Sequence, residues 1–345
     1  MKVAVLAGGR SSEHVVSLES AKSVLDGLEK GGHDCLPIVI GRDGVWRRQD
    51  PRDETGNGGR SAGEASDDRV VLDPAGGLLE ADVVFPVLHG PFGEDGTVQG
   101  LLECLEVPYV GAGVLASAIC MDKATFKRLI GERGLPQVRY AAVHESEWRS
   151  DPDAVVERSH VIHLPQFVKP ARLGSSFGIS KVMREDELSG ALKSAFRHDP
   201  CALIEAAAVG MEVECSVIGN DEPVVSEPGE VVTKGEWYDY ESKYSEGGMD
   251  LIVPAPITPS QRERIRRLAA ETFLASSCAG LARVDFFITN ERQVLVNELN
   301  TIPGFTSTSV FAKLFEASGI EYVELLERLM GYALDRYERR RAHQF

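Results

Sequence analysis

Four polar side chains at the ends of two apolar runs give this sequence its clearest chemistry. Arg283 and Asp285 alternate with apolar residues in LARVDFFIT, so both lie on one face of a predicted strand. After a predicted turn at 289–292, Glu298 and Asn300 are again two residues apart on a returning strand. Hard oxygen donors brought together in this way suit Mg²⁺, which combines a few carboxylates with water and phosphate oxygens. The alternative is a solvated sheet face, which the surrounding apolar residues disfavour.

The order R-x-D followed by N-E-x-N-x-x-P-G resembles the metal-binding end of ATP-grasp enzymes, in the form found in D-alanine–D-alanine ligases. The resemblance covers about residues 3–330, with at least five motifs in the family's order. It implies an α/β fold of three domains with ATP between the second and third. We expect a Rossmann-like domain with a parallel sheet at 1–120, and central and C-terminal ATP-grasp domains at 121–212 and 213–345. The implied metal ligands are Asp285, Glu298 and Asn300, for two Mg²⁺ ions that Mn²⁺ can replace.

Composition and charge restrict the class of partner. The 37 basic and 53 acidic residues give a formal net charge of −16, which disfavours nucleic acid and anionic membranes. The six cysteines are scattered without a Cys-x-x-Cys pair, as expected of buried thiols in a reducing cytosol. The apolar run at 3–7 is too short for a signal peptide, and no run reaches the length of a membrane span. We expect a cytoplasmic protein, and the resemblance implies a homodimer.

The N-terminal segment predicts a buried parallel strand at 3–7 that enters a turn at Gly8-Gly9 and then a helix. This start would also suit a nucleotide-binding regulator or an oxidoreductase, although the G-x-G-x-x-G fingerprint is absent. The segment GGRSSEHVVSLES resembles the opening motif of the ligase family, in which Glu13 would hold the ammonium group of the first substrate. From the residues alone, Glu13 could instead complement the helix dipole.

Two further candidates follow the next predicted strand, at 83–88. Its carboxyl end leads into the loop HGPFGEDG, and ligands of open α/β sheets collect at such ends. The loop matches the ligase family, which places His89 in the substrate pocket, whereas a lone histidine is more often structural. Lys123 in MDKATFKRLI matches the lysine that opens the ATP-grasp region; its alternative is a solvated helix lysine.

The segment LPQFVKPARLGSSFGISKV predicts a strand, a small-residue loop and a returning strand. Small residues let backbone N–H groups approach phosphates, and Lys169 on the first strand can add a cation. The spacing of a P-loop is absent. The segment resembles the flexible hairpin that covers ATP in ATP-grasp enzymes, where Ser175 and Ser176 match the serine pair; a plain hairpin is the alternative.

The segment ALIEAAAVGME predicts a strand that ends at Glu205. The resemblance implies that Glu205 lies at the interdomain hinge, that backbone groups at Ala206 and Ala208 contact adenine, and that Glu212 bonds the ribose. The alanines replace larger or basic residues of relatives, so side-chain contacts to the nucleotide stay open here. Glutamates at a strand end are otherwise usually solvated.

Three other stretches are polar. The loop WYDYESKY suits a lid, and its Lys243 and Tyr244 match the family's catalytic loop, although an exposed loop is the alternative. Hydroxyl and N–H groups after Gly304 suit a carboxylate, and Ser309 matches the residue that binds the second substrate. Residues 50–68 predict a mobile surface insertion.

The resemblance implies that the chain joins two D-alanines through a D-alanyl phosphate, yielding D-alanyl-D-alanine for peptidoglycan precursors. ATP is needed because a carboxylate does not react with an amine at neutral pH. Arg283 and Lys243 would stabilise charge on the phosphoryl group and the later oxyanion. Tyr244 would hydrogen-bond toward Ser175 and, through it, Glu13. D-Alanine–D-lactate and D-alanine–D-serine ligases are the alternatives within the class, and a nucleotide-binding regulator is the alternative outside it.

Overall fold

Three sheets with flanking helices form the architecture. The computed structural model of the protein describes residues 1–53, 68–72, 77–174, 178–233 and 249–343. The predicted surface insertion at 50–68 lies mostly outside these described residues. The α/β class predicted from the sequence is confirmed, and each of the three sheets is built from one continuous part of the chain.

The first sheet has the order β3-β2-β1-β4 and comprises β1 (Lys2–Gly8), β2 (Asp34–Ile40), β3 (Trp46–Arg48) and β4 (Val83–Pro86). The central strand β1 is parallel to β2 and β4, and only the edge strand β3 is antiparallel, which confirms the predicted parallel sheet. Alternate side chains of β1 enter two separate buried clusters. Residues 3–7 are all apolar because helices cover both faces of this sheet. These helices are α1 (His14–Lys30) and α2 (Thr97–Cys104).

The second sheet follows two helices, α3 (Val114–Met121) and α4 (Lys123–Glu132). Its order is β5-β8-β6-β7, and its strands are β5 (Tyr140–His144), β6 (Gln166–Pro170), β7 (Ser180–Val182) and β8 (Cys201–Ala206). All neighbours are antiparallel, and the pairing of β6 with β7 confirms the predicted strand–loop–strand segment. Its core includes residues of α5 (Glu145–Ser150), α6 (Pro152–Ser159) and α7 (Leu188–Ala195).

The third sheet is wholly antiparallel, and its main path is β12-β11-β9-β13-β14. It contains β9 (Gly210–Gly219), β10 (Val224–Val225), β11 (Gly229–Thr233), β12 (Met249–Ile252), β13 (Gly280–Thr289) and β14 (Val294–Asn300), with α8 (Pro259–Ala275) on one face. Because β9 begins at Gly210, a boundary between residues 212 and 213 would divide this strand. We propose that the central and C-terminal domains meet at 207–209 instead.

The predicted hairpin is confirmed by β13 and β14. Asp285 stands directly opposite Glu298, and Arg283 stands opposite Asn300, so the four polar side chains share one face. The register shifts after Asp285 and leaves Asn297 as the extra residue of a β-bulge. Alternation alone would place Asn297 on the apolar face, whereas the bulge lets it and Glu298 line the same cavity.

The last two helices, α9 (Val310–Glu316) and α10 (Tyr322–Arg341), return to the first sheet. Their apolar side chains share one buried cluster with α1 and with β1, including Leu25, Phe311, Leu325 and Leu329. The residues after the third sheet therefore complete the core of the first. Within the part of the chain that the structure describes, no helix has the length and apolar character needed to cross a membrane.

Candidate active site

Two cavities lie side by side, and Lys123, Gly174 and Glu298 line both of them. The amino-terminal cavity, of about 490 Å³, lies beside the loops that follow β1, β4 and β14. The intersheet cavity, of about 550 Å³, lies between the second and third sheets. Together they collect every predicted site residue that the structure describes.

The amino-terminal cavity contains the predicted residues Glu13, His89, Arg283, Asn300, Gly304 and Ser309. The intersheet cavity contains Lys169, Glu205, Ala206, Ala208, Glu212 and Asp285. The remaining predicted residues, Ser175, Ser176, Lys243 and Tyr244, lie outside the described residues.

Glu13 stands at the start of α1 with its carboxylate enclosed by two loops. The residue is 6% exposed, and its side chain makes no capping hydrogen bond with the helix. Its Oε2 atom is so close to Gly90 that a Cβ atom added there would stand 2.5 Å away, and one added to Gly174 would stand 3.4 Å away. The carboxylate thus faces the cavity, where it suits an ammonium group better than a role as helix cap.

His89 joins three parts of the chain at the wall of the same cavity. Its Nδ1 atom lies 2.9 Å from the carbonyl oxygen of Ile302, so Nδ1 carries the proton and donates it. The Nε2 atom then accepts from the hydroxyl of Ser20 at 3.2 Å. Burial lowers the pKa of His89 despite the opposing attraction of Glu13, which favours the neutral imidazole seen in this arrangement.

Glu94 is a cavity residue that sequence reasoning missed. Its Oε2 atom accepts a hydrogen bond of 2.7 Å from the backbone N–H of Gly90. Burial, and then repulsion from Glu13, raise the pKa of Glu94 well above its ordinary value, although Lys123 and Arg283 oppose this. The available signal was its place in the same glycine-rich loop as His89.

Three carboxylates form a row across neighbouring strands of the third sheet. Asp285 is flanked in register by Glu214 on β9 and by Glu298 on β14. The guanidinium of Arg283 donates two hydrogen bonds of 2.7 Å to Asp285, and its Nε atom lies 2.9 Å from Glu214. Sequence reasoning missed Glu214, although it lies two residues after Glu212 and so on the same face of β9.

The predicted metal ligands are close together but face protein cations. Among the described residues, no group of three or more histidine, cysteine, aspartate or glutamate side chains is arranged to hold a metal ion. Asp285 is bonded to Arg283, and Glu298 lies 3.8 Å from the ammonium of Lys123. The donor types still fit Mg²⁺ or Mn²⁺, since two opposed carboxylates and the amide of Asn300 are hard oxygen ligands.

A buried ionic cluster lies at the intersheet cavity, which two of its three members, Glu205 and Lys169, line. The Oε2 atom of Glu205 lies 2.7 Å from the ammonium of Lys169, and Oε1 lies 3.1 Å from that of Lys127. Burial raises the pKa of Glu205, but the two ammonium groups more than offset this and leave it lowered. Burial lowers the pKa of Lys169, but Glu205 and Glu298 more than offset this and leave it raised. Glu205 is therefore no solvated strand end, and Lys127 was missed.

Lys123 begins α4 and connects that helix to the loop between β6 and β7. Its ammonium donates a hydrogen bond of 2.8 Å to the carbonyl of Leu173, and its backbone N–H donates one of 3.0 Å to Ala171. The side chain is 13% exposed, so the alternative of a solvated helix lysine is wrong. It places a positive charge where the two cavities meet.

Hydroxyl groups gather at the far side of the amino-terminal cavity. The Ser309 Oγ atom accepts from the backbone N–H of Thr306 at 3.0 Å and lies 2.6 Å from its hydroxyl. A Cβ atom on Gly304 would stand 3.4 Å from Ser309 Oγ, so the small residue leaves that oxygen accessible from the cavity. The arrangement can bind a carboxylate.

Two family models and several known proteins match this chain over most of its length. Residues 2–112 match the sequence model described as D-ala D-ala ligase N-terminus, and residues 129–331 match that described as D-ala D-ala ligase C-terminus. The chain is 45% identical to a D-alanine–D-alanine ligase from Geobacillus thermodenitrificans, over 98% of this chain and 96% of the relative. It is 46% identical to one from Deinococcus radiodurans, over 97% and 98%.

Solved structures agree in fold. The VanG D-Ala:D-Ser ligase from Enterococcus faecalis superposes with a TM-score of 0.83 at 34% identity, over 96% of this chain and 99% of that one. The D-alanine–D-alanine ligase from Coxiella burnetii has the same TM-score and identity, over 99% and 97%.

Proposed function

The chain belongs to the D-alanine–D-alanine ligase family, and we propose that its two cavities divide the ATP-dependent joining of two D-alanines between them. ATP occupies the intersheet cavity, and the amino acids occupy the amino-terminal cavity. The observation that carries this assignment is the shared wall of Lys123, Gly174 and Glu298. A phosphate at the end of the nucleotide and the carboxylate of the first D-alanine can meet there. The product, D-alanyl-D-alanine, serves peptidoglycan synthesis.

The nucleotide is held by groups that suit its parts. Lys123 and Lys169 supply cations for the phosphates, and the small-residue loop between β6 and β7 covers them. Backbone groups at Ala206 and Ala208 bind adenine, and Glu212 accepts hydrogen bonds from the ribose hydroxyls. By resemblance to the family, Ser176 and Lys243 also contact the phosphates.

The amino acids are held at opposite ends of the amino-terminal cavity. Glu13 binds the ammonium of the first D-alanine, and His89 fixes the loop beside it. Ser309 and the backbone at Gly304 bind the carboxylate of the second D-alanine. With the first D-alanine held by Glu13 and the second by Ser309 and Gly304, the amine of the second lies close to the carboxyl carbon of the first. This proximity favours the reaction.

Two transfers then form the peptide bond. A carboxylate oxygen of the first D-alanine attacks the terminal phosphorus of ATP, the bond to ADP breaks, and D-alanyl phosphate results. The amine of the second D-alanine, after loss of a proton, attacks the acyl carbon and displaces phosphate. Arg283 stabilises the negative charge of both transition states, with Lys243. The proposed contacts from Tyr244 through Ser175 to Glu13 hold the lid closed.

The family implies a divalent metal, and the residues present fit one. We propose that Asp285, Glu298 and Asn300 hold Mg²⁺, as two ions that Mn²⁺ can replace. When bound, the cation neutralises phosphate charge. Asp285 would be available to the cation only if Arg283 released it, and Glu214, the second carboxylate partner of Arg283, would make that release less costly.

We propose a homodimer in the cytoplasm, without nucleic acid or membrane partners. D-Serine and D-lactate are the alternative acceptors, and the similarity to a D-Ala:D-Ser ligase makes D-serine the one to test first.

The test is release of ADP and phosphate by the purified chain. We expect release only when ATP, Mg²⁺ and D-alanine are all present, with D-alanyl-D-alanine identified by mass. A reaction with equal D-alanine, D-serine and D-lactate should give mainly the D-alanine dipeptide. ATP hydrolysis that is indifferent to D-alanine would contradict the assignment.

A further inference from the structure

Lys127 is a buried charge that the ligase reaction, as described above, does not use. It lies on α4, is 1% exposed, and lines neither of the two cavities. Its ammonium lies 3.1 Å from Glu205 and 5.7 Å from the centre of the Tyr140 ring. A buried ammonium is costly unless it is paired, so its presence requires a reason.

The reason lies in the charge of the cluster. Glu205 and Lys169 both line the intersheet cavity, whereas Lys127 stands behind Glu205. The two ammonium groups contact different oxygens of one carboxylate, at 3.1 Å and 2.7 Å. Burial lowers the pKa of Lys127, and the attraction of Glu205 opposes this. With Lys127 protonated, the cluster has two positive charges and one negative charge. Without it, Glu205 would pair with Lys169 alone and cancel the charge that faces the cavity.

We propose that Lys127 is a positioning residue for the nucleotide, which holds Glu205 on one oxygen so that Lys169 keeps its positive charge for the phosphates. The inference deepens the proposed function, because it depends on ATP occupying the intersheet cavity. Lys127 itself touches no substrate and acts through Glu205. Its effect must therefore depend on the phosphates of the ligand and on the charge of Glu205.

A purely architectural role makes a different prediction. If Lys127 only joined α4 to β8, its loss would weaken the fold and would affect all nucleosides alike. The ratio of the Kd for adenosine to the Kd for ATP separates the two roles, because adenosine has no phosphate.

The experiment measures this ratio by isothermal titration calorimetry on the full chain with Mg²⁺. Lys127→Met should lower the ratio about 10- to 100-fold, the range expected when a charge-assisted interaction with phosphate is lost. Lys127→Gln should do the same, since the amide can still bond Glu205 but carries no charge. Lys193→Met, the same change at an exposed lysine of α7, should leave the ratio within about twofold.

Removing the negative charge as well provides the decisive variant. In Lys127→Met with Glu205→Gln, Lys169 has no counter-ion, so the ratio should return to within about threefold of the native value. If the methionine variant fails to fold, the glutamine variant gives the same reading.

Each other outcome overturns a definite statement. Native protein that binds ATP no more tightly than adenosine would overturn the proposed function. If the native protein binds ATP more tightly than adenosine, and both Lys127 variants keep the same ratio of the two Kd values, only the role of Lys127 is overturned. Equal weakening of both ligands, or no recovery in the double variant, would show an architectural role and also overturn it.

Discussion

Replacing Gly90 with alanine tests whether Glu13 is held in place for an ammonium group. Gly90 has a φ of +74°, where a side chain costs about 1–2 kcal/mol. The new Cβ atom would stand 2.5 Å from Glu13 Oε2. An ordinary contact is roughly 3.5 Å, so the carboxylate oxygen must retreat by about 1 Å.

That displacement is large for a charged hydrogen bond. Such bonds are about 2.8 Å long, and a further 1 Å takes them beyond bonding range. The loss is worth about 1.5–3 kcal/mol, which corresponds to a rise of roughly 10- to 150-fold in the KM for D-alanine. We expect kcat to change less, since Glu13 binds the ammonium and not the transferred phosphoryl group.

Gly134→Ala is the matched control. Gly134 has a φ of +71°, and no atom lies within 4 Å of a Cβ atom added there. Both variants should lower the thermal unfolding midpoint by a few degrees, because they share the backbone strain. Only Gly90→Ala should raise the KM in ADP-release assays. An unchanged KM in that variant, or an equal rise in the control, would refute the assignment of Glu13.

Four further outcomes are expected. Glu298→Gln should lower turnover at least about 100-fold, and near-normal activity at saturating Mg²⁺ would exclude it as a metal ligand. Glu205→Ala should raise the KM for ATP more than it lowers kcat, because the proposed hinge contact on the adenosine side is lost while the charge of Lys169 toward the phosphates remains. It should also lower the unfolding midpoint because two ammonium groups stay buried; a fall in kcat alone would contradict this. The pKa of Glu94 in the folded state lies above its unfolded value near 4.5. Between these two pKa values the folded state holds a proton that the unfolded state has lost. The free energy of unfolding should therefore fall as the pH rises from the lower value to the higher. Unfolding midpoints from about pH 4.5 to 8 should show this fall in the native protein and not in Glu94→Gln. Tyr244 lies outside the described residues, and Tyr244→Phe should shift the products from D-alanyl-D-alanine toward D-alanyl-D-lactate. The shift should be largest near pH 6, where free amine is scarce. A native protein that makes mostly depsipeptide near pH 9 would contradict the assignment of D-alanine as the acceptor.

The hairpin shows how far sequence reasoning reaches. Alternation correctly placed Arg283, Asp285, Glu298 and Asn300 on one face, because that period is a local property of a strand. Alternation could not place Asn297, since one extra residue in a bulge changes the face of the sheet on which the following side chains lie. The position of a bulge depends on both strands, so the sequence of either strand alone does not predict it.

Burial was harder to predict than position. The residues alone leave a solvated strand end as the alternative for Glu205, and they do not mark Lys127 as a candidate. What covers a strand end or a helix face is set by distant parts of the chain. The one local signal was the spacing of Lys123 and Lys127, which are four residues apart and so lie on the same face of α4. Once Lys123 was assigned to the site, Lys127 could have been placed near it.

The return of α10 to the first sheet has a consequence for synthesis on the ribosome. The apolar stripe of α1 is made early, but its partners Leu325 and Leu329 are made last. At about 5–20 residues per second, roughly 15–60 s separate the two. During that interval the N-terminal part of the chain has an unfinished core and exposes apolar surface to other nascent chains. We therefore expect folding yield in the cell, more than the final stability, to depend on how fast the middle of this chain is translated.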